Sequence, residues 1–266
     1  MEIIGFIMAL AIGISLGLIG GGGSILTVPV LVYMLGVNPV LSTAYSLFIV
    51  GSAALVGAFN NFRKGLICLK TAIVFAIPSF IAVYLTRLYL IPAIPEVLLH
   101  IGNFVLTRDM AIMIFFALIM LVAAFSMIKN GQKEIIAHKT TRPKFNYPLI
   151  IADGLIVGVL TGIVGAGGGF LIIPALVLLA RLPMKLAVGT SLLIIAMKSL
   201  IGFMGDLQTG QMIDWSFLLT FTGFAVVGIF MGSYLSNFIS GKKLKTGFGW
   251  FVFIMAIIIL TKEILI

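Results

Sequence analysis

Gly20, Gly21, Gly22, Gly23 and Ser24, followed by Pro29, interrupt one apolar run, and Gly165, Ala166, Gly167, Gly168 and Gly169, followed by Pro174, interrupt another. The two stretches lie 145 residues apart. At that offset Gly13, Gly17, Gly20, Gly22, Gly23, Leu26, Leu31, Val32, Ser46, Leu47, Gly57 and Gly65 all meet identical residues. Twelve matches in one register mean that the chain carries one unit twice, the internal symmetry expected of a duplicated helical bundle. Glycine lacks a Cβ and reaches backbone conformations that other residues avoid, so each cluster marks a place where a helix breaks.

Of the 266 residues, 61% are hydrophobic and only 9% charged, too much apolar surface for a water-soluble globule to bury. The chain therefore reads as an integral membrane protein. A net charge of +9 in a soluble chain points to nucleic acid, but here the basic residues fall in short loops between apolar runs, where they set membrane orientation. No nucleic-acid partner is expected. One cysteine, Cys68, excludes an internal disulfide, and with only His100 and His138 beside it no Cys/His metal cluster can be assembled. No metal and no cofactor are called for.

The N-terminus enters an apolar run directly, without the basic segment that opens a secretory signal peptide, and is expected to be retained as the first helix, ending near Gly20. The next piece, Ile25 to Leu35, is about 11 residues, or roughly 17 Å of helix against a hydrocarbon core of roughly 30 Å, and is too short to span. A turn at 36–39 leads to a helix over 40–59, and after 60–65 another over 66–90, kinked at Pro78. Residues 91–108 connect with a short interfacial helix, and 110–128 cross again. The polar stretch 129–146, with Lys129, Lys133, Lys139, Arg142 and Lys144, is a linker between a first membrane repeat, 1–128, and a second, 147–266. The second half repeats the order with 147–165, a short piece 170–180, then 185–204, 215–238 and 246–264.

Five elements per half make the two halves enter the membrane from opposite sides, and the charges agree with that. With the linker in the cytoplasm, most of the 17 basic residues fall inside and only Arg87, Arg108 and Lys262 outside. Both termini are then outside. The loop with Arg63 and Lys64 faces in, whereas its counterpart in the second half holds Asp206 and no Lys or Arg. The fold class is thus all-α and integral to the membrane, with two inverted-topology repeats, each with a broken or re-entrant glycine-interrupted helix.

Non-helical backbone at membrane depth survives only when buried in protein or lining a wet cavity, so the two breaks are expected to face each other. The short helices begin at Ser24 and Gly169, and their first N–H groups, with the positive end of the helix dipole, point into the breaks. An anion is the natural guest, with Ser24 capping or donating directly. The alternative is that the glycines only permit close helix packing.

These residues resemble the sulfite exporter TauE/SafE family, whose members carry a G-x-G-G-G-x-x-x-x-P-type motif in each half, here Gly20 to Pro29 and Gly165 to Pro174. Gly189, Thr190, Ser191 and Leu192 match the family's G-T-S-L, with Ala44, Tyr45, Ser46 and Leu47 as first-half counterpart. The resemblance implies a bacterial inner-membrane permease for small, often sulfur-containing anions such as sulfite or organosulfonates. Assembly with further copies of the chain is left open.

Gly17 to Gly22 also satisfies G-x-G-x-x-G, but no strand precedes it and no acidic residue follows about 20 positions on, so it is not a dinucleotide fingerprint. Lys198, inside a helix, either lines an anion path or snorkels to the outer interface. Asp153 is either an ion or proton site or an interfacial carboxylate. Thr43, Ser46, Thr190 and Ser191 either line the cavity or bond their own helices. The reading that combines these is a non-enzymatic secondary transporter for a small oxyanion, working by alternating access around a midplane site. The candidate contacts are Gly20, Gly21, Gly22, Gly23, Ser24, Ser46, Gly165, Gly167, Gly168, Gly169, Thr190, Ser191 and Lys198. The alternatives are an intramembrane enzyme, which needs a cluster of buried acids or histidines or a nucleophile with its base, and a non-transporting partner subunit.

Overall fold

In a computed structural model, residues 2–101, 104–129, 147–178, 180, 182–210, 212–236, 238 and 241–265 are described. Most of the linker lies outside them. The first half contains α1 (Glu2–Ile19), then a short helical segment, here α2, made of the 3-10 turn Gly22–Leu26, the α-turn Thr27–Pro29 and the π-turn Val30–Met34. It continues with α3 (Pro39–Arg63), α4 (Leu69–Ala93) and α5 (Arg108–Lys129). The second half holds α6 (Tyr147–Val164), α7 (Gly169–Leu178), α8 (Met184–Gln208), α9 (Trp215–Leu235) and α10 (Gly241–Leu265).

The sequence explains the boundaries. Asn38 caps α3 by accepting from the N–H groups of Val40 and Leu41, with Pro39 in the first turn, where no N–H is needed. Asp214 caps α9 through the Phe217 N–H and gives its own N–H to the Tyr45 hydroxyl, which ties the start of α9 to α3. Helix α4 runs on through Pro78 and closes with a π-turn, Thr86–Leu90, before Ile91–Ala93.

Five helices among the described residues are long and apolar enough to cross a membrane: α3, α4, α5, α8 and α9, while α1, α2 and α6 are shorter apolar helices. Helix α4 shows the pattern best. Leu69, Ile73, Ile77, Ile81 and Leu85 form an exposed i, i+4 stripe, while Ala72, Ala76, Ser79 and Val83 are buried on the opposite side. Large apolar groups face out and small or polar ones face in, the arrangement for a helix in lipid rather than water.

Helices α3 and α8 pack along each other at the centre and are the most buried spans, 72% and 67% against 39% for the rest. Around them α1 packs on α9, α4 on α6, α4 on α8, α3 on α9, and α5 on α10, while α2 touches α7. Glycine seams make the tightest of these approaches. Gly13 and Gly17 of α1 lie on the backbone of Ala225, Gly228 and Gly232 of α9, and Gly154 and Gly158 of α6 lie on the Phe75 and Ser79 carbonyls of α4.

One expected element is replaced. Between α4 and α5 the chain forms an antiparallel hairpin, β1 (Val97–Ile101) with β2 (Phe104–Thr107), pairing Leu99 with Leu106 and Val97 with Thr107, not an interfacial helix. Pro95 prevents the helix from continuing past Ala93, and the β-formers after it pair instead. Helices α3 and α8 also run about a turn beyond their expected ends, to Arg63 and Gln208.

Candidate functional site

Helix α1 stops at Ile19 because Gly20 and Gly21 take φ of +77° and +119°; α6 stops at Val164, and Gly165, Gly167 and Gly168 take +70°, +64° and +62°. These left-handed conformations cost a side-chain-bearing residue about 1–2 kcal/mol each, so here glycine is demanded by backbone and not merely tolerated. The two breaks meet backbone to backbone, Gly21 against Gly169. Ile195 of α8 packs on both Gly21 and Gly167, and Val50 of α3 on Gly167, so the two central helices wall the junction.

Lys198 lies on α8 and is fully buried. Its Nζ donates to Thr161 Oγ1 of α6 at 2.8 Å. A methyl group on Gly168 would sit 2.7 Å from that Nζ and would overlap the Thr161 hydroxyl. The ammonium thus rests on the second break, where α7 begins. The snorkelling alternative is thereby replaced: the Lys198 side chain turns inward along α8 to the break and does not reach the interface. Leu160, Thr161, Gly168 and Leu171 also line a narrow crevice.

A second cation approaches the other end of the same break. Arg87, expected at the outer end of the 66–90 helix, is instead fully buried on the π-turn of α4, and Asp206, expected in a loop, is buried within α8. Arg87 Nη1 donates to Thr43 Oγ1 at 2.9 Å and lies 3.4 Å from Asp206 Oδ1. Thr43 in turn packs directly on Gly165. The physical reason for the correction is that α8 extends a turn past its expected end and takes Asp206 into the bundle, while Arg87 falls on the buried small-residue side of α4 and not on its lipid face.

The other candidate residues divide. Gly21, Ser24, Gly167, Gly168, Gly169 and Lys198 come together at the junction, with Gly165 one step away on Thr43. Gly20 packs on Val188, and Gly23 on Ser15 and Leu16 at the far side of the first break, while Gly22 opens the 3-10 turn. Ser24 lies beside Gly167, but its hydroxyl donates to the Gly21 carbonyl at 2.7 Å and does not cap an N–H. Ser46 is buried and its hydroxyl has no partner among the described residues. Thr190 accepts from the Cys68 N–H, fixing the start of α4, and Ser191 bonds its own helix at Val188. Asp153 is half-buried on α6, the helix that supplies Thr161, and its Oδ2 has no partner among the described residues.

Sequence reasoning missed Arg87, Asp206 and Thr161 as site residues. A signal existed for Arg87: Ala72, Ala76, Ser79 and Val83 continue to 86 and 87 at helical spacing, so Arg87 falls on the small-residue stripe of α4 and not on its lipid face.

The class these features define is a multi-pass, almost wholly helical membrane protein, here with two positive-φ glycine clusters in contact beside buried cations. The chain matches the family described as sulfite exporter TauE/SafE over residues 5–259, and it belongs to that family. It is similar to a probable membrane transporter protein of Xylella fastidiosa strain 9a5c, 29% identical over 95% of this chain and 92% of the relative. It is also similar to the probable membrane transporter protein YunE of Bacillus subtilis, 26% identical over 91% of this chain and 90% of the relative. A further Bacillus subtilis relative, the probable membrane transporter protein YdhB, is 37% identical, over 43% of this chain and 46% of its own length. No solved structure matches.

Proposed function

We propose that this chain is a secondary permease for a small oxyanion, sulfite or an organosulfur anion, working by alternating access around a site at mid-membrane. The observation that carries the reading is Lys198, an ammonium buried at 0% exposure with one hydroxyl as its hydrogen-bond partner, resting against the break at Gly168. A cation held in a membrane bundle is expensive, and an ammonium has three donors of which Thr161 takes one. Leu171 and Ile172 already give their N–H groups to the Gly168 carbonyl, which leaves the N–H groups ahead of them at the start of α7 to supply further donors at the same spot. An anion there would be bound by charge and by fixed backbone dipoles together.

Two inverted-topology repeats, 1–128 and 147–266, joined by a cytoplasmic linker 129–146, form the framework of this proposal. It is supported by the packing, since exchanging the halves turns the α1–α9 pair into α6–α4 and the α4–α8 pair into α9–α3, while α3–α8, α5–α10 and α2–α7 map onto themselves. Gly165 against Thr43 likewise maps onto Gly20 against Val188 at the 145-residue offset. Such a pseudo-two-fold would give the two breaks one shared site open to either side in turn. Both termini would then lie outside a bacterial inner membrane.

The test is transport in proteoliposomes holding the purified full-length chain, with a panel of sulfite, thiosulfate, methanesulfonate, sulfate and acetate. The proposal expects protein-dependent flux for sulfite or a sulfonate above that for acetate. No flux of any panel anion in either direction, from protein that is monodisperse, contradicts it.

A further inference from the structure

Arg87 is wholly buried, yet only one of its three nitrogens is used. Nη1 donates to Thr43 Oγ1 and to Asp206 Oδ1, the latter at 3.4 Å, long for a charge-assisted bond. Among the described residues Nε and Nη2 have no partner, and neither has Asp206 Oδ2. An ion pair kept only to hold α4 against α8 gains most from the bidentate geometry, in which two nitrogens meet two oxygens; here each partner leaves its better half idle. Idle donors out of water are costly.

Nε and Nη2 form one edge of the guanidinium, a planar fork whose spacing matches two oxygens on one atom. The residue sits on a π-turn, a local widening of the helix found most often at functional sites. Gly205 of α8 lets the helices close in here, since a methyl group on it would lie 3.0 Å from Arg87 Cβ. Through Thr43 the guanidinium connects to Gly165, so Arg87 and Lys198 flank opposite ends of one break.

We infer that Arg87 is a second anion-coordinating residue: its free edge takes two oxygens of the oxyanion, and Asp206 is the resting counter-ion that holds the fork in place when the anion is away. The inference rests on the oxyanion-permease reading, and it adds a specificity element. A spherical halide must share one acceptor between the two N–H groups, whereas a sulfite, sulfonate or carboxylate group offers an oxygen to each.

The test is equilibrium binding of sulfite and of chloride to the full-length chain in lipid nanodiscs, with melting temperature as a check on folding. Arg87→Lys keeps the charge and removes the fork, and weakens sulfite about tenfold or more while chloride changes little. Asp206→Asn removes the competing carboxylate and tightens sulfite several-fold, whereas a purely structural pair gives unchanged or weaker binding when broken. Wild-type sulfite affinity in folded Arg87→Lys, or no tightening in folded Asp206→Asn, overturns the inference; if Lys198→Met still abolishes binding, the permease reading stands without it. A wild-type chain that binds neither sulfite nor methanesulfonate removes both. Should Asp206→Asn not be monodisperse, Arg87→Lys alone decides.

Discussion

Lys198 and Arg87 are buried for different reasons, and substitutions can tell them apart. Lys198 has a hydroxyl for its hydrogen-bond partner and feels the Asp153 carboxylate only by longer-range attraction, so replacing it with Met removes a costly charge and leaves Thr161 free to bond its own helix. Lys198→Met is expected to hold or raise the melting temperature while sulfite binding falls more than tenfold, the loss of a charge-assisted contact of about 1.5–3 kcal/mol. Arg87 has a charged partner. Arg87→Ala strands the Asp206 carboxylate and is expected to destabilise by about 3–5 kcal/mol, whereas the double variant Arg87→Met, Asp206→Leu recovers most of it. A thermal-unfolding series in detergent checks both. Lys198 was legible in the sequence because a lysine well inside an apolar helix has few explanations; Arg87 was not, because it lies near the end of its apolar run and resembles an interfacial anchor there.

At the scale of elements, the two short helices exist because glycine ends the helices before them. Gly167, at φ +64°, faces Val50, so Gly167→Val adds backbone strain of about 1–2 kcal/mol and a steric overlap at the same point. Sulfite binding is expected to fall further in this variant than the melting temperature would suggest; wild-type affinity in folded protein would return the glycine to a packing role. The left-handed backbone at these glycines was legible, because glycine clusters in apolar runs have a direct backbone meaning. The hairpin was not legible, because Val97–Ile101 and Phe104–Thr107 stand in a connection of mixed character that reads as a short interfacial helix. Thr161 escaped for another reason: nothing in α6 alone says that a threonine there meets a lysine of α8, 37 residues on.

For the whole molecule, the packing partners exchange when the halves exchange, but the chemistry does not. At the 145-residue offset Lys198 corresponds to Ala53, Thr161 to Leu16 and Arg87 to Gly232, so both buried cations belong to the second break and none to the first. In the proposed two-repeat framework the charge is thus concentrated at one of the two glycine clusters. Topology is a separate question, which cysteine labelling in a Cys68→Ala background answers: a cysteine near Glu2 is expected to react with an impermeant reagent in intact cells, and one at Lys139 is not. The central claim, that the ammonium at the second break holds the travelling anion, is tested most directly by counterflow of labelled sulfite into proteoliposomes preloaded with unlabelled sulfite. The account predicts accumulation by the wild type, partial accumulation by Lys198→Arg and none above empty liposomes by Lys198→Met. Wild-type counterflow in Lys198→Met would contradict it.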